Sequence, residues 1–283
     1  MHKLMGHFKI VLVLFASLLW ISASAAQSSS NDKIIVGANI GNVPWEFQNI
    51  DGKYIGFEID LVMEIAKRLR REIEIVNVPF NGVFAAVQSG RIHIAISALG
   101  ITEKRLKSVS FSQPYYDSDL SLTTVFNNGI NGLDDLKGKI VAVDTGSSGD
   151  LWASENQKKY QFSEIRRYEG LAPAMLDIEI GRTQGYISDI PALLYYTKDK
   201  PNLHVVTRIP TDEQYALMMG KNSPIVEGVN EAISSLKLEG FINALHRKWF
   251  GEHAEKTSST VQVVPIPSVN SDTGLNFVNT FLN

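Results

Sequence analysis

The chain has 283 residues and no cysteine, so neither a disulfide nor a thiolate nucleophile is available to it. Its 30 acidic residues outnumber its 27 basic ones, for a formal charge of −3, and no basic stripe interleaved with aromatics argues for nucleic acid. With 44% hydrophobic residues it can bury a sizeable core, in one large domain or two modest ones.

The first thirty residues read apart from the rest. Lys3 and Lys9 make a basic start, IVLVLFASLLWI runs apolar from Ile10 to Ile21, and SASAA supplies small residues from Ser22 to Ala26. That order is a secretory signal peptide over residues 1–26, cleaved near Ala25 or Ala26. The apolar run is well short of the roughly 20 residues a membrane span needs, and no cysteine follows it to carry a lipid. Loss of Lys3 and Lys9 takes the charge to about −5. Export without disulfides leaves the core as the only staple, which suits a bacterial periplasm at least as well as a eukaryotic secretory route.

From Lys33 the pattern alternates. KIIVGAN predicts a strand, followed by the turn-rich IGNVPWEFQNIDGKYIG. FEIDLVMEIAKRLRR carries Leu61, Ile65 and Leu69 on one stripe with Val62 and Ala66 beside it, the spacing of an amphipathic helix. Period two takes over in EIEIVNV, a strand. FNGVFAAVQSG predicts a short helix ended by Gly90, and RIHIAIS another strand. Strands and helices alternating at this pace imply a parallel sheet covered by helices.

A bend with three charges follows in GITEKR, where Thr102 can cap a helix start. The extended LSLTTVF, Leu120 to Phe126, is the expected crossing to a second lobe. There GKIVAVDTGSSGDLWASENQKKY predicts strand, turn and helix, residues 171–180 a helix, GYIS a strand and PALLYYTKD a helix. HVVTRI and YALMMG read as two strands separated by PTDEQ, and Ser223 as the cap of a helix with Pro224 in its first turn. A further helix runs to KWFG. Two α/β lobes result, residues 33–118 with 214–251 and residues 120–212. Residues 252–283, rich in Ser, Thr, Asn and Pro, read as a polar tail with VQVV as one edge strand.

Three segments could carry chemistry. TGSSGD, Thr145 to Asp150, opens a helix after a strand, so free amides and the Ser147 and Ser148 hydroxyls can hold an anion. It lacks the lysine and glycine spacing of a nucleotide loop, which favours a small carboxylate over phosphate; an ordinary serine-capped turn is the alternative. Arg105 offers a planar fork for a carboxylate, unless it is a solvated charge at a helix start. Asp189 ends GYIS before Pro191, at a strand carboxyl end where open sheets present ligand groups. Cation, amides and anion together complement an α-amino-acid zwitterion.

KIIVGANIGNVPWEF, GKYIGFEIDLVMEIAKRL, FNGVFAAVQSGRIHIAIS, ITEKRLKSVSFSQPYY, LKGKIVAVDTGSSGD and GRTQGYISDIPALLYY, in this order from Lys33 to Gly251, resemble the periplasmic amino-acid-binding proteins of ABC importers. The resemblance implies the two-lobed type II periplasmic binding fold with two crossing strands, and a monomer without catalysis or cofactor. Such a protein hands a free L-amino acid to an inner-membrane ABC permease. It further implies that Arg105 holds the ligand α-carboxylate with Ser148 and the amides around Ser147, and that Asp189 holds the α-ammonium. Phe80 then packs on the aliphatic part, Asn39, Asn42 and Asp144 read the side chain, and Ser97 and Ala98 add polar contacts. Many relatives carry a threonine where this chain has Gly100, which removes a hydroxyl from the carboxylate grip and calls for a water or a serine in its place. Asn39 stands where many have an acid, while Asp144 restores one, so arginine or another basic amino acid comes slightly ahead of glutamine. The fold also serves membrane-sensor partners and, rarely, lyases or dehydratases, for which Glu46, Asp144, His93 and Glu213 are nominal acids or bases. His93 alternates within RIHIAIS and reads as structural, and Trp45 beside Pro44 is divided between pocket and core.

Overall fold

The computed structural model describes residues 33–270 and 274–275. The expected signal peptide lies outside them. In chain order the first stretch forms β1 (Ile34–Ala38), β2 (Phe47–Gln48), β3 (Tyr54–Ile55), α1 (Phe57–Arg68), β4 (Ile73–Asn77), α2 (Phe80–Gln88), β5 (Ile94–Ile96), α3 (Glu103–Leu106) and β6 (Val109–Phe111). The second forms β7 (Tyr116–Val125), β8 (Ile140–Asp144), α4 (Ser148–Tyr160), β9 (Glu164–Tyr168), α5 (Leu171–Glu179), β10 (Gly185–Asp189) and α6 (Ile190–Thr197). After β11 (Leu203–Tyr215) come β12 (Met218–Gly220), α7 (Val226–Leu238) and α8 (Phe241–Phe250), and a two-residue ladder of β13 (Val269–Asn270) and β14 (Gly274–Leu275) ends the described part.

These strands make two five-stranded sheets, ordered β4-β1-β5-β12-β6 and β11-β7-β10-β8-β9. In the first, β1 pairs in parallel with β4 and β5. In the second, β8 pairs in parallel with β9 and β10. The expected parallel sheet is thus only half of each: β12 pairs antiparallel with β5 and β6, and β7 with β10 and β11, because the chain returns through the ribbon, while the parallel strands direct their carboxyl ends to one side. This is the two-lobed α/β architecture of the type II periplasmic binding fold. Helix α1 shows why the pattern worked: Leu61, Val62 and Ile65 bury on one face, acids Glu58 and Asp60 sit at its positive end and Lys67 and Arg68 at its negative end.

The ends of β7 and β11 join the lobes as a two-stranded ribbon, with Tyr116 opposite Tyr215 and Ser118 opposite Glu213. Between Ile209 and Glu213 the pairing slips, and the Asp119 carboxylate fills the gap by accepting from the Thr211 and Asp212 amides. Under the ribbon lies an aromatic cluster in which Trp45 meets Phe57, Tyr116, Tyr215 and Phe250 at 4.7–5.5 Å between ring centroids. Trp45 is thus a core residue and not a pocket one.

Four local expectations are corrected. LSLTTVF is not the crossing: Leu120 to Thr123 pair with β10 on one side and β11 on the other, which makes it an inner strand of the second sheet. HVVTRI and PTDEQ form one continuous strand, because pairing to β7 and the Asp119 bridge carry the chain through the proline. Helix α7 starts at Val226 with Ile225 as its N-cap, after a turn in which the Val226 amide donates to the Ser223 carbonyl. VQVV is not a strand. Its Gln262 carbonyl accepts from the Lys237 ammonium, which also donates to Gln113 Oε1 and the Pro114 carbonyl. Ser259 and Thr260 are buried, so this part of the expected tail is docked on the first lobe.

Gly149 sets the seat of α4. A Cβ there would stand 2.4 Å from the Ile187 carbonyl oxygen of β10, so only glycine lets the helix start lie on that strand. Gly149→Ala should cost about 1–3 kcal/mol by overpacking, read as a lower denaturation midpoint; an unchanged midpoint would show that the helix can shift without penalty.

Candidate functional site

A cavity of about 150 Å³ opens between the two sheets, lined by Asn39, Asn42, Phe80, Ser97, Ala98, Asp144, Ser147, Ser148 and Asp189, together with Glu169 to Pro173 and Ser188. That volume is well below the several hundred Å³ of drug-sized sites and suits one small metabolite. Its walls come from strand ends. Asn39 follows β1, Phe80 opens α2 after β4, and Ser97 and Ala98 follow β5. From the other side Asp144 ends β8, Glu169 follows β9 and Asp189 ends β10. The topology thus gathers the carboxyl ends of six strands on one space.

The first-lobe wall is held from beneath. The Asn39 amide donates to Ser97 Oγ at 2.9 Å, and the Ala98 amide to both oxygens of Glu58 at 3.0 and 3.1 Å. Ala98 has φ 47°, a left-handed conformation that costs an alanine about 1 kcal/mol or more. The buried Glu58, which also accepts from the Tyr115 hydroxyl, holds it there. Beside Glu58 lies buried Glu46, which accepts from Asn42 Nδ2 at 3.0 Å. Burial, and then the neighbouring Glu58, push the Glu46 carboxyl well above its ordinary range. This pair supports the wall and does not reach the cavity. His93, just before β5, is exposed and accepts from the Ile35 amide with Nδ1.

The second-lobe wall is a helix N-terminus. Ser147 caps α4 through the Asp150 amide at 3.1 Å, and Gly146 donates its amide to Asp150. The Arg167–Asp150 ion pair fixes that turn from behind. Arg105 and Gly100 lie apart from the cavity lining. The Arg105 guanidinium donates to the Gly100 carbonyl at 2.7 Å and, across the lobes, to the Gly146 carbonyl at 3.3 Å, with Phe84 4.8 Å beneath it. It stands next to the helix turn but is engaged by backbone. The room beside Gly100 is taken by Glu213, from the ribbon, whose carboxylate accepts from the Ser148 hydroxyl.

Acids dominate the electrostatics. Tyr186 donates to Asp144 Oδ2 at 2.6 Å, while Asp144 Oδ1 is shut from solvent without a partner. Burial, opposed by that hydrogen bond and reinforced by Glu169, raises the Asp144 carboxyl to about 6. Burial and the Glu213 charge raise Asp189 as well. Glu169 and its loop went unnoticed in the sequence, although YEGLAP has a strand end, a glycine at φ 149° and a helix start. Glu169 also accepts from Asn81 of the opposite lobe at 3.2 Å, so it closes the rim. Among the described residues no cluster of His, Asp and Glu is arranged to hold a metal, and no helix is long and apolar enough to cross a membrane.

Residues 34–252 match the model of the bacterial extracellular solute-binding proteins, family 3. The chain belongs to that family. It is 30% identical over 260 residues to the L-cystine-binding protein TcyJ of Escherichia coli K12, covering 89% of this chain and 96% of the relative. Among solved structures, the P235GK mutant of ArgBP from T. maritima superposes with a TM-score of 0.73 at 31% identity, over 78% of this chain and 96% of the other. An ancestral arginine-binding protein, solved with arginine and with glutamine, gives 0.74 at 30% identity, over 79% of this chain and all of the other. Each of these relatives is named as a binding protein.

In the family 3 protein the raised Asp144 makes a pH prediction. Its folded value, about 6, exceeds the ordinary 3.8, so its contribution to stability is complete below the unfolded value and is lost as pH rises through the folded one. Between pH 4 and pH 7 the ligand-free protein should lose up to about 3 kcal/mol from this group. Asp144→Asn should flatten that part of the pH–stability curve in urea titrations, and an unaltered curve would remove Asp144 as its source.

Proposed function

We propose that this protein captures a polar L-amino acid, a basic one such as arginine ahead of glutamine, in the periplasm and hands it to an ABC permease of the inner membrane. The observation that carries the reading is the set of three carboxylates, Asp144, Glu169 and Asp189, around one small cavity that also contains a helix N-terminus. A ligand for such a site needs one carboxylate for the helix turn and more than one positive charge for the acids. An amino acid with a cationic side chain meets both demands.

In this reading Asp189, at the carboxyl end of β10, takes the α-ammonium. The α4 amides, Ser147 and Ser148 take the α-carboxylate, with Arg105 alongside the same turn. Asp144 and Glu169 take the side-chain cation, and desolvated charge pairs of this kind discriminate strongly because half-removal leaves a charge unpaired. Phe80 covers the aliphatic stem, and Asn39, Asn42, Ser97 and Ala98 add polar contacts. Support comes from the arginine-binding names of several relatives and from the protein solved with both arginine and glutamine.

A calorimetric screen of refolded protein against the twenty amino acids and ornithine tests the reading. Arginine, lysine or ornithine should bind at least about tenfold tighter than glutamine. Asp189→Asn should abolish binding of all of them. Asp144→Asn should weaken the basic ligands about tenfold or more and leave glutamine within about threefold; equal losses would show that Asp144 does not read charge, and preference for an acidic or apolar amino acid would overturn the reading.

A further inference from the structure

Glu213 belongs to no motif that the sequence singles out for ligand capture, yet it lies against the start of α4, beside Gly100 and Arg105. A Cβ built on Gly100 would stand 1.8 Å from Glu213 Oε1 and 2.7 Å from Cδ, so the room left by the absent side chain is filled by this carboxylate. Oε1 accepts from the Ser148 hydroxyl at the start of α4. Oε2 is shut from solvent with no partner. Glu213 lies on the ribbon opposite Ser118, so it ties the second lobe's helix to the crossing strands.

The groups that face it are few. Arg105 on α3 is its cationic neighbour, Asp119 on β7 and Asp189 on β10 are its acidic ones, and Tyr215 is on its own strand. Asp119 is already matched by Arg208 and two amides. Burial raises the Glu213 carboxyl, while the Ser148 hydroxyl and Arg105 hold it back. A ligand α-carboxylate that reaches Ser148 and the Arg105 side of the turn therefore meets a second carboxylate at the same donors. Two carboxylates cannot both stay ionised beside one guanidinium in a closed cavity.

We propose that Glu213 is a built-in occupant of the carboxylate grip, one that takes up a proton when the ligand arrives and then supplies the hydroxyl donor that Gly100 lacks. This rests on the reading that the α4 turn takes an α-carboxylate. The solvent proton ends on a Glu213 oxygen, the ligand carboxylate stays anionic, and the new O–H donates to it in a short charge-assisted bond. The Ser148 hydroxyl is thus handed from Glu213 to the ligand, and the start of α4 keeps a partner throughout. Because binding consumes a proton at this residue, its share of the affinity grows as pH falls through the window between the ligand-free and ligand-bound values of the Glu213 carboxyl.

Calorimetry with L-arginine in two buffers of different ionisation heat tests this, comparing the unmodified protein with Glu213→Gln. The difference between the two removes any proton that Asp144 exchanges. The unmodified protein should take up more protons than the variant, by up to about one per ligand, and Glu213→Gln, whose amide can donate without titrating, should keep its affinity at high pH. A ligand-free arm uses stability: Gly100→Ser should be destabilised by overlap with Glu213 and rescued in the double variant Gly100→Ser with Glu213→Ala. Arginine bound with equal proton uptake by both proteins would overturn the proposal alone, as would a Gly100→Ser variant as stable as the unmodified protein. If neither protein binds any amino acid, the ligand reading fails and the proton step falls with it.

Discussion

Carboxylates brought together in a closed cavity repel one another and lose their hydration, and the rest of the site is arranged around that cost. The strand ends deliver Asp144 and Asp189 because a parallel sheet presents its carboxyl ends on one side. Asp144 has one oxygen satisfied by Tyr186 and one left without a partner. Arg105 lies close enough to bias Asp189 and Glu213 but spends its hydrogen bonds on the Gly100 and Gly146 carbonyls. The acids are therefore short of counter-charge among the residues around them. In the proposed reading a cationic ligand supplies it, and its binding free energy includes relief of the repulsion among the acids as well as new contacts.

Closure is made of few bonds. Asn81 to Glu169, Arg105 to the Gly146 carbonyl, and Ser148 to Glu213 connect the lobes around the cavity. All are polar, each of modest net worth; apolar packing between the lobes includes Val43 against the second-lobe core and Ala192 against the first. Arg105 shows how tightly the parts are shared: its removal would unpair two carbonyls and leave Glu213 without a cation, so it serves structure and site together.

Much of this was legible in the sequence because the signals were periodic or local. The stripe of Leu61 and Ile65, the period-two runs, the Thr102 and Ser147 caps and the strand-end position of Asp189 all follow from spacing that repeats within a few residues. Nine of the residues expected at the site line one cavity. What escaped depends on distant pairing. Glu213 acquires its place from the slipped ribbon and from a missing side chain more than a hundred residues away, and no local pattern encodes that. PTDEQ looked like a break because a proline and four polar residues usually end a strand; the Asp119 carboxylate, from another strand, supplies what the slipped ladder cannot. Glu169 was overlooked because its loop has no capping side chain, only a glycine before the helix.

The docked segment beyond the family's shared region gives the ribbon an extra tether. Asp117 accepts from Gln214 on the partner crossing strand and from the Ser259 amide, while Lys237 binds both the Gln262 carbonyl and the Gln113–Pro114 stretch that leads into β7. Any motion that bends the ribbon at Asp117 must carry this segment along or break its bonds. The stiffness of the joint between the lobes is thereby partly set by residues outside the region that matches the family, and two proteins with the same cleft could open to different extents for that reason alone.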